Sequence, residues 1–224
     1  MSRPIFNPEL LPVESSDTPL APVAPGRLTP RGLRERFQQE LRWTAEPHEV
    51  RWAHGDPRQA AVLVPLVIRD AVTVLLTQRG DMLTDHAGQV SFPGGRREPD
   101  DADATATALR EAREEVGLPG DRVEVLGTLP EYLTGTGFRV TPVVGLVHPP
   151  FSTVADGYEV AEIFEVPLAF LMDPSHHQIR VFRSENAERR FFAMPYPRLD
   201  GRGDYFIWGA TAGMLRNLYR FLAA

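Results

Sequence analysis

The chain contains no cysteine, which excludes disulfide bridges and any thiolate-ligated metal centre and suits a reducing, cytoplasmic setting. Long apolar runs are missing as well. The longest, residues 60–68, is interrupted by Pro65 and too short to span a bilayer. No basic segment followed by an apolar stretch opens the sequence, so neither a signal peptide nor a membrane partner is expected. Positive charge is in deficit: 24 Lys and Arg against 30 Asp and Glu leave a net charge of −6. That balance argues against a protein that coats nucleic acid through its phosphate backbone. It leaves room for a small phosphorylated substrate whose charge a metal ion offsets. With 224 residues, 42% of them hydrophobic, the chain can bury a full core as one domain with an extension.

Seven of the 21 prolines fall within residues 1–30, which read as an extended arm, leaving residues 31–224 as the domain. Pro30 followed by residues 31–43 predicts a short helix with Leu33, Phe37 and Leu41 on one face. Runs 61–68 and 71–77 predict a hairpin turning at Arg69 and Asp70. Further strands are expected near 122–129, 138–147 and 158–165. A short helix is expected over 167–171, a hairpin over 178–183 and 190–194 around Ser184, Glu185 and Asn186, and a strand over 205–208. An amphipathic helix over 211–222, built on Leu215, Leu218 and Leu222, closes the chain. Strands with helices before, between and after them indicate an α/β sandwich with a mixed sheet.

The most informative segment joins Gly94-Gly95 to the run Arg110-Glu111-Ala112-Arg113-Glu114-Glu115-Val116-Gly117. A helix is expected to start at Asp103, an N-cap residue, and to stop at Gly117. At about 100° per residue, Thr105, Leu109, Ala112 and Val116 share the packing face, and Glu111, Glu114 and Glu115 form a second arc roughly 140° away. Three carboxylates in one helical turn repel one another, and at a helix C-terminus they oppose the macrodipole. A divalent cation held between them removes the conflict, because Mg²⁺ takes hard oxygen ligands. Arg110, four residues before Glu114, is placed to pair with it.

These residues resemble the Nudix hydrolase box, in which a glycine, five residues, an acid and a spacer precede Arg-Glu-apolar-x-Glu-Glu-x-Gly-apolar. Arg110, Glu111, Ala112, Glu114, Glu115, Gly117 and Leu118 fill the second half. Counting from Gly95, the acid of the first half falls on Asp101, and eight residues rather than seven separate it from Arg110. Upstream, Leu75-Leu76-Thr77-Gln78-Arg79, Gly88 and Phe92-Pro93-Gly94-Gly95 resemble the segment preceding the box in coenzyme A pyrophosphatases of that superfamily. Gly80 stands where those enzymes have Ser or Ala, and Thr84 where they have Arg. Gly137-Phe138-Arg139-Val140-Thr141-Pro142 is also similar.

The resemblance implies a Nudix α/β/α sandwich. It implies Mg²⁺, with Mn²⁺ as an alternative, on Glu111, Glu114, Glu115 and the Gly94 carbonyl, with Arg110 orienting a glutamate. A general base comes either from the box or from a distant loop, where Glu159 is the candidate and Glu162 the second. Arg79 and Arg139 are candidate phosphate contacts, His86 a candidate on the substrate loop, and Gly95 permits close backbone approach to substrate. The adjacent His176 and His177 read as a turn, since neighbours on a strand diverge. Gly135-Thr136-Gly137 reads as a loop over the cleft, and Trp208 as core. The expected partner is a coenzyme A-like nucleotide, with a homodimer as a compatible assembly. The leading function is hydrolysis of the coenzyme A diphosphate to 3′,5′-ADP and 4′-phosphopantetheine. Hydrolysis of ADP-ribose or another nucleoside diphosphate derivative, and a non-catalytic Nudix-fold binding module, stand beside it.

Overall fold

The computed structural model describes residues 7–16, 20–46, 56–80, 88–184 and 187–224. The first strand, β1 (Val13–Ser16), lies within the proline-rich segment and is followed by helix α1 (Pro30–Phe37). Strands β2 (Arg58–Val67), β3 (Thr73–Arg79), β4 (Val90–Ser91) and β5 (Gly94–Arg96) lead to helix α2 (Ala104–Val116). Next come β6 (Val123–Thr128), β7 (Tyr132–Leu133), β8 (Phe138–Val147) and β9 (Val160–Pro167). Helix α3 (Leu168–Leu171), strands β10 (Gln178–Ser184), β11 (Ala187–Pro197) and β12 (Asp204–Trp208), and helix α4 (Gly209–Ala223) complete the order.

The larger sheet runs β4-β3-β2-β8-β6, with β5 also on β2, β7 on β8 and β9 on β3. The sheet is mixed: β2 and β8 are parallel, residue for residue from Arg58↔Phe138 to Val67↔Val147, and its other pairings are antiparallel. The apolar run in β2 follows from burial on both faces. Ala61, Leu63 and Val67 meet α2 through Ala108, Ala112 and Val116. Ala60, Val64 and Leu66 face the other way, toward Leu33 of α1 and Leu215, Leu218 and Leu222 of α4. Helices on both faces of a mixed sheet make the α/β/α sandwich that the resemblance implies.

Three elements differ from expectation. Helix α1 stops at Phe37 instead of continuing to residue 43. Beyond it the chain extends, and Trp43 packs edge-on against Phe221 at 5.6 Å. Helix α4 is buried nearly all round rather than on one face, because the second sheet, ordered β1-β10-β11-β12, packs through Met194 and Ile207 into the same core. Within the proline-rich segment, β1 pairs antiparallel with β10, and Val23 is buried and donates its N–H to Met172 O at 3.1 Å. No helix among the described residues is long and apolar enough to cross a membrane.

Candidate active site

Helix α2 begins and ends where the sequence places its caps. The Asp103 carboxylate accepts Ala106 N–H at 2.8 Å. Gly117 takes the left-handed conformation at φ 68°, and the N–H of Leu118 returns to Ala112 O at 3.2 Å, a bond typical of glycine-capped helix ends. The packing face is rotated from the expected one. Thr107, Ala108, Ala112, Glu115 and Val116 are buried, whereas Thr105 and Leu109 are only partly so. Glu115 thus goes in with the core face, and the three glutamates occupy three environments.

Glycines make this possible. A side chain at Gly94 would meet Ala61 O and Val62 Cα at 2.5 Å, and one at Gly95 would collide with the Glu111 carboxylate. With no side chain at Gly95, the Glu111 carboxylate lies against β5. Glu115, 6% exposed, accepts Gly94 N–H at 3.1 Å. Loss of water pushes its carboxyl up to about 7, against the pull of that N–H; the Glu111 and Glu159 charges add to the rise and Arg79 opposes it. Burial also raises Glu111, against the neighbouring Arg110 guanidinium.

Arg110 organises the outer side of the cluster. It donates to Glu111 Oε1 at 3.0 Å, to Glu114 Oε2 at 2.9 Å and to both oxygens of Asp101 at 3.0 Å. Asp101, 7% exposed, also accepts Glu98 N–H at 2.8 Å and the Thr107 hydroxyl at 2.9 Å. The hydrogen bonds from Arg110, then that from Glu98, hold its carboxyl well below the usual range. Aspartate at this position reaches the arginine with both oxygens.

Among the described residues, the buried Nε of Arg79 at the end of β3 has no hydrogen-bond partner. Glu159 lies just before β9, half-buried, and its charge raises the carboxyls of both Glu111 and Glu115. The NUDIX domain profile matches residues 57–196, a span containing all of these groups. This chain belongs to the Nudix family. A Klebsiella pneumoniae relative described as "Uncharacterized Nudix hydrolase NudL" is 47% identical over 162 residues, 72% of this chain and 81% of that protein. The Escherichia coli K12 protein of the same description is 45% identical over the same length. Among solved structures, the Nudix hydrolase RenU from M. smegmatis is 26% identical, covers 51% of this chain and 73% of its own, and has a TM-score of 0.43. The chain is a Nudix hydrolase and acts on pyrophosphate bonds.

Nudix hydrolases generally need divalent metal ions. The donor set fits one in chemistry: Glu111 and Glu115 are hard oxygen donors whose charge burial penalises, the condition a cation relieves. Among the described residues, no three acidic or histidine side chains converge on one point as they stand. Arg110 draws Glu114, 53% exposed, outward and shares Glu111.

The remaining Nudix candidates are distributed unevenly. Arg139, in β8, faces Glu131 at 3.7 Å and makes no contact with the glutamates among the described residues. His86 and Thr84 lie outside the described residues. Glu162 is held by Arg198 at 2.9 Å and by the Tyr205 hydroxyl, which leaves Glu159 the less encumbered acid. His177 is buried, its Nδ1 toward Arg216 at 2.9 Å and its Nε2 toward Leu171 O at 2.8 Å. One further acid, Asp156, is bonded to the backbone of both Glu115 and Glu159. The dipeptide Asp156-Gly157 is a turn signal that marks it.

Proposed function

We propose that the chain is a metal-dependent pyrophosphatase that hydrolyses the diphosphate of coenzyme A or its derivatives to 3′,5′-ADP and 4′-phosphopantetheine, or the acyl form. The observation that carries the reaction is the desolvated Glu111–Glu115 pair set against the side-chain-free Gly94-Gly95 strand. The substrate rests on the segment from Leu75 to Gly95, whose Leu-Leu-Thr-x-Arg and Phe-Pro-Gly-Gly signatures resemble coenzyme A pyrophosphatases. The hydrolase domain is taken as residues 31–224, since α1 and α4 cover one face of the sheet that carries the site.

Glu111 and Glu115, with Glu114 and the Gly94 carbonyl, would hold Mg²⁺ or Mn²⁺. A bound ion of this kind supplies charge neutralisation at phosphoryl oxygens and acidifies water. Arg110 restrains Glu111 and Glu114 and does not touch substrate. Glu159 takes the proton of the attacking water as general base. The Nε of Arg79, without a partner among the described residues, offers a donor to a phosphoryl oxygen, while Gly95 lets the diphosphate approach the backbone. Arg139 would be a second phosphate contact and His86 a residue of the substrate loop.

One assay with Mg²⁺ across coenzyme A, ADP-ribose and NADH, with products identified by mass spectrometry, tests this reading. The expected result is the highest kcat/KM on coenzyme A, with 3′,5′-ADP released. Cleavage of ADP-ribose without coenzyme A would overturn the substrate. No hydrolysis of any diphosphate would replace the enzyme with a binding module.

A further inference from the structure

The stretch leading to Glu159 has no regular secondary structure, yet it is tied down along its length. Val154 N–H donates to Val116 O at 3.0 Å and Asp156 N–H to Glu115 O at 3.1 Å. These bonds occupy carbonyls at the end of α2 that lack helical partners. The Asp156 carboxylate then accepts three successive backbone N–H groups, from Tyr158 at 3.2 Å, Glu159 at 2.9 Å and Val160 at 2.8 Å. From the other side Gly80 donates its N–H to Glu159 O at 2.9 Å. A Cβ at Gly80 would approach Tyr158 O to 2.9 Å, so glycine is what lets the end of β3 come this close.

We propose that Asp156 is a positioning residue, which fixes the backbone of Glu159 against the last turn of α2 and so keeps the Glu159 carboxylate beside Glu111 and Glu115. One residue joins the two halves of the site: its N–H is bonded to the carbonyl of Glu115, and its side chain gathers the backbone that carries Glu159. Without that carboxylate three N–H groups lose their acceptor, and the loop retains only its ends as anchors. The inference rests on Glu159 acting as the base in the reading above.

The test uses the full chain with Mg²⁺ and coenzyme A as substrate, ADP-ribose serving as a second. D156A is expected to lower kcat roughly ten- to a hundred-fold, the scale of a misplaced catalytic group, with KM unchanged. D156N keeps an oxygen able to accept the same three N–H groups and is expected to recover most of the loss. In an E159Q background D156A should cost nothing further, because Asp156 acts only through Glu159. Should D156A not fold, G80A displaces the same loop from the opposite side and carries the same expectations. A D156A loss that adds fully to that of E159Q, or a melting shift with kcat intact, would overturn the positioning role and leave the base in place. Wild-type kcat in E159Q alone would overturn the base and the positioning role with it.

Discussion

Glu115 is the side chain on which stability and activity pull apart. Its carboxyl stands at about 7 rather than 4.5 because it has been taken out of water, so the folded chain holds that proton more tightly than the unfolded one. The stability owed to this group is full below pH 4.5 and is lost as pH rises through 7. In EDTA, the melting temperature is therefore expected to fall across that window, and E115Q should flatten the fall. Turnover should respond in the opposite sense. E115Q is expected to lower kcat by about a hundred-fold or more, beyond the usual effect of altering a ligand's outer contacts. Mg²⁺ at about 100 times its Kd should stabilise the wild-type chain by about 2.7 kcal/mol, and the variant far less; calorimetry with and without the ion measures both.

At the scale of an element, α2 depends on contacts made before it starts. D103A removes its N-cap and is expected to cost about 1 kcal/mol, read from a denaturant midpoint. D101N should weaken a different function, since it loosens the clamp on Arg110 and through it Glu111 and Glu114. The expected outcome is a higher Mg²⁺ requirement in the activity assay, with α2 still folded. The start and end of α2 were legible in the sequence because caps are local: a carboxylate reaches an N–H three residues on, and a glycine adopts a positive φ. Its inward face was not. A helical wheel turns the helix by its apolar residues alone, while here Gly95 leaves the space that Glu111 occupies and the Gly94 N–H draws Glu115 inward. The full burial of α4 was not legible either, because the cover comes from β11 and β12, which no periodicity within residues 209–223 reports. The partial length of α1 likewise follows from Trp43 finding Phe221, a partner 178 residues away (221 − 43).

Across the whole molecule, one charged network ties distant segments together behind the site. Arg216, 1% exposed on α4, donates to Glu46 at 2.9 Å and to His177 at 2.9 Å. E46A is expected to destabilise the fold by about 3 kcal/mol, the lower end for a broken buried pair because Glu46 is partly exposed. Its kcat should be unchanged, which chemical denaturation and the coenzyme A assay together check. The parallel pairing of β2 with β8 has a different consequence, for the time at which the enzyme comes into being. Partners in that pair are 80 residues apart (138 − 58), and the stretch between them holds Arg79, Gly94, Gly95 and all of α2. A ribosome must deliver residue 147 before the central strands can close, and closure of so long a loop is slow. Until then β5 has half a sheet to lie on, and the glutamates have no desolvated seat. Catalytic competence is thus a late property of the nascent chain, since Glu159 and the covering helix α4 are delivered later still.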